Sequence, residues 1–267
     1  MRVAALHPDV IVFVSDIWQT TCTAVRAGDE GFVIDSPIYP EELRAVPEVL
    51  GQAGFPVSGL LATHGDWDHL LGRLAFEGAS LGCAESTVRR LAEDPGAAQR
   101  KLRDFDADHY VPRRRPLALG DVQSLPVPGS LELGSSRELE LHAAAGHTAD
   151  GVAYWLPWLR ILVCGDYISP VEIPMLSAGG SLDVYSETLM ALRDLVREAT
   201  WVVPGHGAPV ESKRALKILS DDAVYLERLA RDPAKTTPPR SRRTAAQKRI
   251  HDANVAFATG AGGGASG

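Results

Sequence analysis

Apolar residues in the first third of this chain fall in short runs broken by turn-forming residues, a pattern of strands more than of long helices. Val10 to Val14, Thr20 to Arg26 and Gly31 to Asp35 are three such runs, with Ala27-Gly28-Asp29-Glu30 as a hairpin turn, and together they predict a meander. From Pro40 to Gly51 the spacing becomes helical and ends at glycine. Val57 to Thr63 then predicts a short buried strand that runs directly into His64. Leu70 to Phe76 predicts a short helix and Ser80 to Cys83 a strand. Glu85 to Phe105 predicts a charged surface helix broken at Asp94-Pro95-Gly96.

A second strand-rich series follows. Leu117 to Leu125, Leu131 to Leu133, Glu138 to His142, Val152 to Leu156 and Arg160 to Cys164 predict strands. Ser186 to Ala199 has amphipathic helical spacing, Trp201 to Val203 is a further strand, and Glu211 to Leu229 a further helix. Residues 1–230 are thus expected to form one domain, a size common for a sheet sandwich with outer helices. Residues 231–267 form a C-terminal basic segment with a Gly-rich tail, Gly260 to Gly267, expected to be flexible. The basic stretch Arg231 to Arg249 reads as a solvated surface segment in preference to an anion-binding flap.

Composition narrows the function classes. Apolar residues make up 45% of the 267 positions and charged residues 23%, enough to bury a sizeable core. The formal net charge of -7 argues against a nucleic-acid partner, which needs a basic footprint. Cys22, Cys83 and Cys164 are scattered and odd in number, and read as small buried residues in a reducing compartment. The first residues lack the long apolar core of a secretory leader, and no window approaches the roughly 18 apolar residues of a membrane span. The expectation is a soluble, cytoplasmic protein whose partner is a small molecule.

The chemistry concentrates after the predicted strands. His64-Gly65-Asp66-Trp67-Asp68-His69 places four metal-capable side chains within six residues of one loop. Further along come Ala145-Gly146-His147-Thr148, Cys164-Gly165-Asp166 and Pro204-Gly205-His206-Gly207, each following a predicted strand. This ordered succession resembles the metallo-β-lactamase superfamily, whose pattern is HxHxDH, then a Gly-His, a Gly-Asp and a Pro-Gly-His. The resemblance covers residues 10–229, and the glyoxalase II-like branch is the one to which the chain is similar in length.

That resemblance implies an α+β fold, an αββα sandwich of two mixed β-sheets flanked by helices. It also implies a site for two divalent metal ions: His64, Asp66 and His147 on the first, Asp68, His69 and His206 on the second, and Asp166 bridging both. Zinc is the expected metal, with iron or manganese as alternatives. Asp66 stands where the family usually has histidine. A carboxylate there adds negative charge and a hard donor, which shifts preference toward iron or manganese. Its shorter reach raises the alternative that it contacts the metal only through water.

The implied activity is hydrolysis of a small ester, thioester, lactone or amide by a metal-bridging hydroxide, with Asp68 ligating and also handling a proton. The alternatives are a di-iron oxidoreductase and a metal-binding protein whose catalysis Asp66 has reduced; a nuclease is disfavoured by the acidic charge. Other residues are secondary. Trp67 is either a pocket wall or a core anchor, and Tyr167 either an oxyanion donor or, preferably, a packing residue. Ile168 to Leu182 and Glu85 to Tyr110 are the candidate substrate walls. His7, His109, His142 and His251 read as structural, and Arg113-Arg114-Arg115 as a solvated turn.

Overall fold

The computed structural model describes residues 1–134 and 136–260. The Gly-rich tail from position 261 onward lies outside the described residues. The first sheet contains β1 (Arg2–His7), β2 (Val10–Val14), β3 (Thr21–Ala27), β4 (Glu30–Asp35), β5 (Gly59–Leu61), β6 (Leu81–Ala84) and β7 (Val122–Leu125), in that spatial order. Its first four strands are an antiparallel meander and the last four run parallel. The second sheet, in spatial order, is β13 (Val210–Glu211), β12 (Trp201–Val203), β11 (Ile161–Val163), β10 (Val152–Leu156), β9 (Arg137–Ala143) and β8 (Gly129–Leu133). Every pair in it is antiparallel except β11 and β12.

Period-two alternation explains how the layers stack. On β2, Val10, Val12 and Val14 point into the space between the sheets, whereas Ile11 and Phe13 point to the outer face. Both sides are buried, so the strand reads as an unbroken apolar run. Between the sheets these valines meet Leu139, Leu141, Tyr154, Leu156 and Val163. Outside the first sheet pack α1 (Pro40–Gln52), the short α2 (Gly72–Ala75), α3 (Glu85–Glu93) and α4 (Ala97–Asp108). Outside the second lie α5 (Leu182–Glu198) and α6 (Ser212–Arg231), where Tyr185, Leu189, Leu192 and Val196 form the buried stripe of α5. The architecture is the αββα sandwich expected. The three thiols are buried and unpaired, and burial pushes that of Cys83 up to about 12, so they pack as neutral groups.

The structure departs from the sequence pattern at β1 and β13, which the pattern does not predict, and at α5, which starts at Leu182 instead of Ser186. The largest difference follows Arg231. The stretch Arg231 to Arg249, read as solvated surface, buries Arg242 and Gln247 against the sandwich and leads into α7 (Ala245–Ala258), which also buries Asn254. Arg242 pairs with Asp222 of α6 at 2.6 Å, with both side chains almost fully buried. Among the described residues no helix is long and apolar enough to cross a membrane.

Candidate metal centre

The sheets deliver the donors to one edge. β4 and β5 are parallel neighbours, so Asp35 at the end of one and the 64–69 loop beyond the other emerge side by side. In the second sheet the parallel pair β11 and β12 does the same for Asp166 and His206. Backbone bonds then tie the loops together. Gly205 N donates to Gly165 O at 2.6 Å, Thr21 N to Gly205 O at 2.8 Å, and Val152 N to Thr63 O at 2.8 Å. A side chain on Gly205 would overlap the Asp166 carboxylate, so glycine is the residue that lets these two turns approach.

All seven predicted donors converge. Asp66 Oδ2 lies 3.7 Å from His64 Nε2 and 3.4 Å from His147 Nε2. Asp68 Oδ2 lies 3.6 Å from His69 Nε2 and 3.5 Å from His206 Nε2. Asp166 stands between the two groups, 3.2 Å from His147, 3.3 Å from His69, 3.5 Å from His206 and 3.7 Å from His64. Donors held about 2.0–2.2 Å from a tetrahedral ion are about 3.3–3.6 Å apart, since a tetrahedron's edge is about 1.63 times its radius. The spacing in the cage is therefore that of a coordination shell. It includes Asp66, whose oxygen sits as close to its neighbours as the other donors do, despite the shorter side chain.

Each imidazole is also aimed. His69 Nδ1 donates to Asp35 Oδ2 at 3.0 Å, His147 Nδ1 to Met175 O at 2.8 Å, and His206 Nδ1 to Trp18 O at 3.0 Å. His64 Nδ1 donates to Thr63 Oγ1 at 3.1 Å, and that hydroxyl in turn donates a hydrogen bond to Asp35 Oδ2 at 2.8 Å. With Nδ1 carrying the proton in every ring, Nε2 presents a lone pair to the cage. Nε2 of His64, His69 and His147 and Oδ1 of Asp166 are buried without a hydrogen-bond partner, a costly arrangement for a protein interior unless a ligand completes it.

Charge in the metal-free cage is redistributed accordingly. Burial alone would lower His147, but Asp166 and Asp66 overturn it and carry the ring up to about 9. Burial likewise opposes the charge on His206, yet Glu172 and Asp166 bring it up to about 10. Burial would raise Asp166, and the surrounding imidazoles instead hold it well below the usual carboxylate range. The donor set, neutral imidazoles plus carboxylates, thus suits divalent cations and binds protons in their place.

The cage opens into a cavity of about 350 Å³ lined by Trp18 and Trp67 and by Met175, Lys101 and Arg249. Trp67 is both wall and anchor, since it is also buried against Phe105 and edge-on to Trp18. Tyr167 does not line that cavity, which corrects its candidacy for substrate binding. Its buried hydroxyl accepts from His147 N at 3.0 Å and donates to Ala145 O at 2.6 Å, leaving nothing to offer an oxyanion. Of the predicted walls, Lys101 from Glu85 to Tyr110 and Glu172, Met175 and Ser177 from Ile168 to Leu182 line the cavity, while Ile173 and Leu176 are buried in the core. The remaining histidines are structural: His109 stacks on Phe105, His251 meets Tyr225, His142 pairs with Glu140 and His7 with Asp9.

Four residues of the site carry no motif of their own. Asp35 orients His69 and Thr63. Asp150 holds Gly65 N at 2.8 Å, Arg90 contacts Asp66 and Asp150, and Glu172 lines the cavity. Burial raises the Glu172 carboxyl, with His206 opposing. The positions of Asp35 at a strand end and of Asp150 three residues after His147 were the available signals; Arg90 and Glu172 fell only within the broad candidate walls Glu85 to Tyr110 and Ile168 to Leu182.

The sequence pattern of the metallo-beta-lactamase superfamily matches residues 15–206, and the chain belongs to that superfamily. Among curated proteins it is similar to a hydroxyacylglutathione hydrolase from Rhodobacter capsulatus, with 30% identity over 190 residues, 71% of this chain and 60% of the relative. The chain therefore spans about three-fifths of that relative's length. Among solved structures it resembles a metallo-beta-lactamase family protein from Thermus thermophilus, at TM-score 0.69 and 18% identity over 96% of each chain. It also resembles the stereoselective inverting sec-alkylsulfatase Pisa1 from Pseudomonas sp., at TM-score 0.69 and 14% identity, over 86% of this chain and 42% of the other. These structural likenesses establish the fold.

Proposed function

We propose that the chain is a metal-dependent hydrolase that cleaves a small ester, thioester, lactone or amide. The observation that carries this reading is the convergence of seven donors around buried, unpartnered Nε2 and carboxylate atoms at the floor of an open cavity. His64, Asp66 and His147 would hold one divalent ion, Asp68, His69 and His206 a second, and Asp166 would touch both. Zinc fits the imidazole-rich donors, and the three carboxylates keep iron and manganese as alternatives. Such ions supply Lewis-acid activation of a carbonyl and of water.

The protein's own groups do the rest. Asp68 lines the cavity and reaches the second group of donors through Oδ2, so its carboxylate can take a proton at the point of attack and return it to the leaving group. Trp18 and Trp67 exclude water from one side of the carbonyl and give an acyl group an apolar face. Similarity to a hydroxyacylglutathione hydrolase supports testing thioesters first. In this reading the partner is a small molecule, with neither nucleic acid nor membrane involved, and the compartment is the cytoplasm.

The test is elemental analysis of protein purified without added metal, followed by a screen of thioester, ester, lactone and β-lactam substrates on the same sample. The expected result is two equivalents of metal and turnover of one substrate class. Two equivalents with no hydrolysis of any class would overturn the reading, and iron with a redox-active spectrum would favour the oxidoreductase alternative.

A further inference from the structure

Arg90 on α3 pairs directly with a carboxylate of the cage, and its guanidinium is divided between two carboxylates. Nη2 donates to Asp66 Oδ1 at 2.5 Å and Nη1 to Asp150 Oδ1 at 2.8 Å. Asp150 is fixed from behind, because its Oδ2 accepts from Gly65 N and from Thr87 Oγ1, both at 2.8 Å, and the side chain is only 1% exposed. Gly65 leaves room for this arrangement: a Cβ there would press on Asp150 Oδ2 at 3.2 Å and on Arg90 Nη1 at 3.4 Å. The guanidinium is thus anchored on one side and grips a single oxygen of Asp66 on the other.

Asp66 Oδ2 is left facing the His64 and His147 Nε2 atoms. A histidine at this position would present one neutral donor and orient it through its other ring nitrogen. An aspartate has two equivalent oxygens and a full negative charge, in a cage that already contains Asp68 and Asp166. We propose that Arg90 is a positioning residue that makes Asp66 serve in place of a histidine. It occupies Oδ1, presents Oδ2 alone to the first metal site, and offsets the added charge. An arginine suits the task because its planar fork spans two carboxylates and keeps its charge at every relevant pH.

This inference rests on the metal-binding reading above, and a four-protein comparison separates the two. The metal-free full chain, Arg90→Met, Asp66→His and the double variant are titrated with Zn²⁺ against a chromophoric chelator, with thermal unfolding of each metal-free protein as a folding control. The wild type should bind two equivalents. Arg90→Met should weaken one of them by about 10- to 100-fold and leave the other unchanged, the loss typical of an outer partner of a metal ligand. In the Asp66→His background the same Arg90 substitution should leave both equivalents unchanged or tighten the affected one.

Equal weakening in both backgrounds would show that Arg90 acts through Asp150 and the loop, and would overturn the proposal. So would unchanged binding in Arg90→Met. A wild type that binds no metal would overturn the functional reading along with it. If Arg90→Met fails to fold, Arg90→Lys carries the test, since an ammonium keeps the charge but cannot span both carboxylates. It should weaken the same equivalent when Asp66 is present and leave it unchanged in the Asp66→His background; equal weakening in both, or none in either, would again overturn the proposal.

Discussion

Replacing Asp35 by asparagine removes one charge and almost no volume from beneath the metal cage. Asp35 is 3% exposed and accepts three hydrogen bonds, from Thr63 N at 2.8 Å to Oδ1, and from Thr63 Oγ1 at 2.8 Å and His69 Nδ1 at 3.0 Å to Oδ2. Its backbone has φ +59°, in the left-handed region that asparagine also tolerates, so the substitution adds no strain. An amide can satisfy only part of this set. With its oxygen toward Thr63 N, its NH₂ faces His69 Nδ1 and drives the proton to Nε2, the atom needed for the metal. With the amide turned over, the buried Thr63 N–H meets a donor.

Either orientation loses one hydrogen bond to a charged group, worth about 1.5–3 kcal/mol. In the metal-free protein this should appear as a loss of about 2 kcal/mol in urea unfolding. At the proposed second metal site the expected loss is about 10- to 100-fold in affinity, or about 1.4–2.7 kcal/mol. Chelator competition on the purified variant reads that affinity, and a denaturant series with and without Zn²⁺ reads the stability. A variant that binds its second equivalent as tightly as the wild type would refute the tautomer argument.

Two further outcomes are expected. Gly205→Ala places a methyl group on the Asp166 carboxylate and 3.0 Å from His69 Cε1, so it should cost about 1–3 kcal/mol in folding stability and, under the proposed assignment of Asp166 to both ions, reduce metal content at both proposed sites; loss at one site alone, by elemental analysis, would contradict that assignment. In the metal-free protein, His147 and His206 are raised against burial by Asp166, Asp66 and Glu172 to about 9 and about 10. Their stabilising contribution is therefore fully present below the ordinary imidazole value of about 6.5 and is lost as pH rises through about 9 to 10. The midpoint of thermal unfolding should fall across that window without metal and hold steadier with metal bound. A metal-free midpoint that rises over the same range would count against the protonated cage.

The seven donors were legible because each lies in a short motif directly after a strand, and strand ends are set by local apolar runs. What holds the donors in place was much less so. Arg90 sits in a run of charges whose spacing suits a solvent-facing helix, and its partners lie 24 and 60 residues away in sequence. No local pattern encodes such a pairing. β1 was missed because its alternation is weak and its outer positions are exposed, as suits an edge strand. α7 was missed because its fully buried positions, Gln247 and Asn254, are polar, and its apolar contacts, Ile250, Val255 and Ala258, are only partly buried. Arg242 donates to Ser169 O and Glu172 O, Gln247 accepts from Ile173 N, and Asn254 bonds Pro174 O and Leu176 N. Those bonds fix the 169–176 loop, whose Met175 carbonyl sets the His147 tautomer. A segment that reads as a solvated appendage therefore bears, through one backbone oxygen, on His147 of the donor cage.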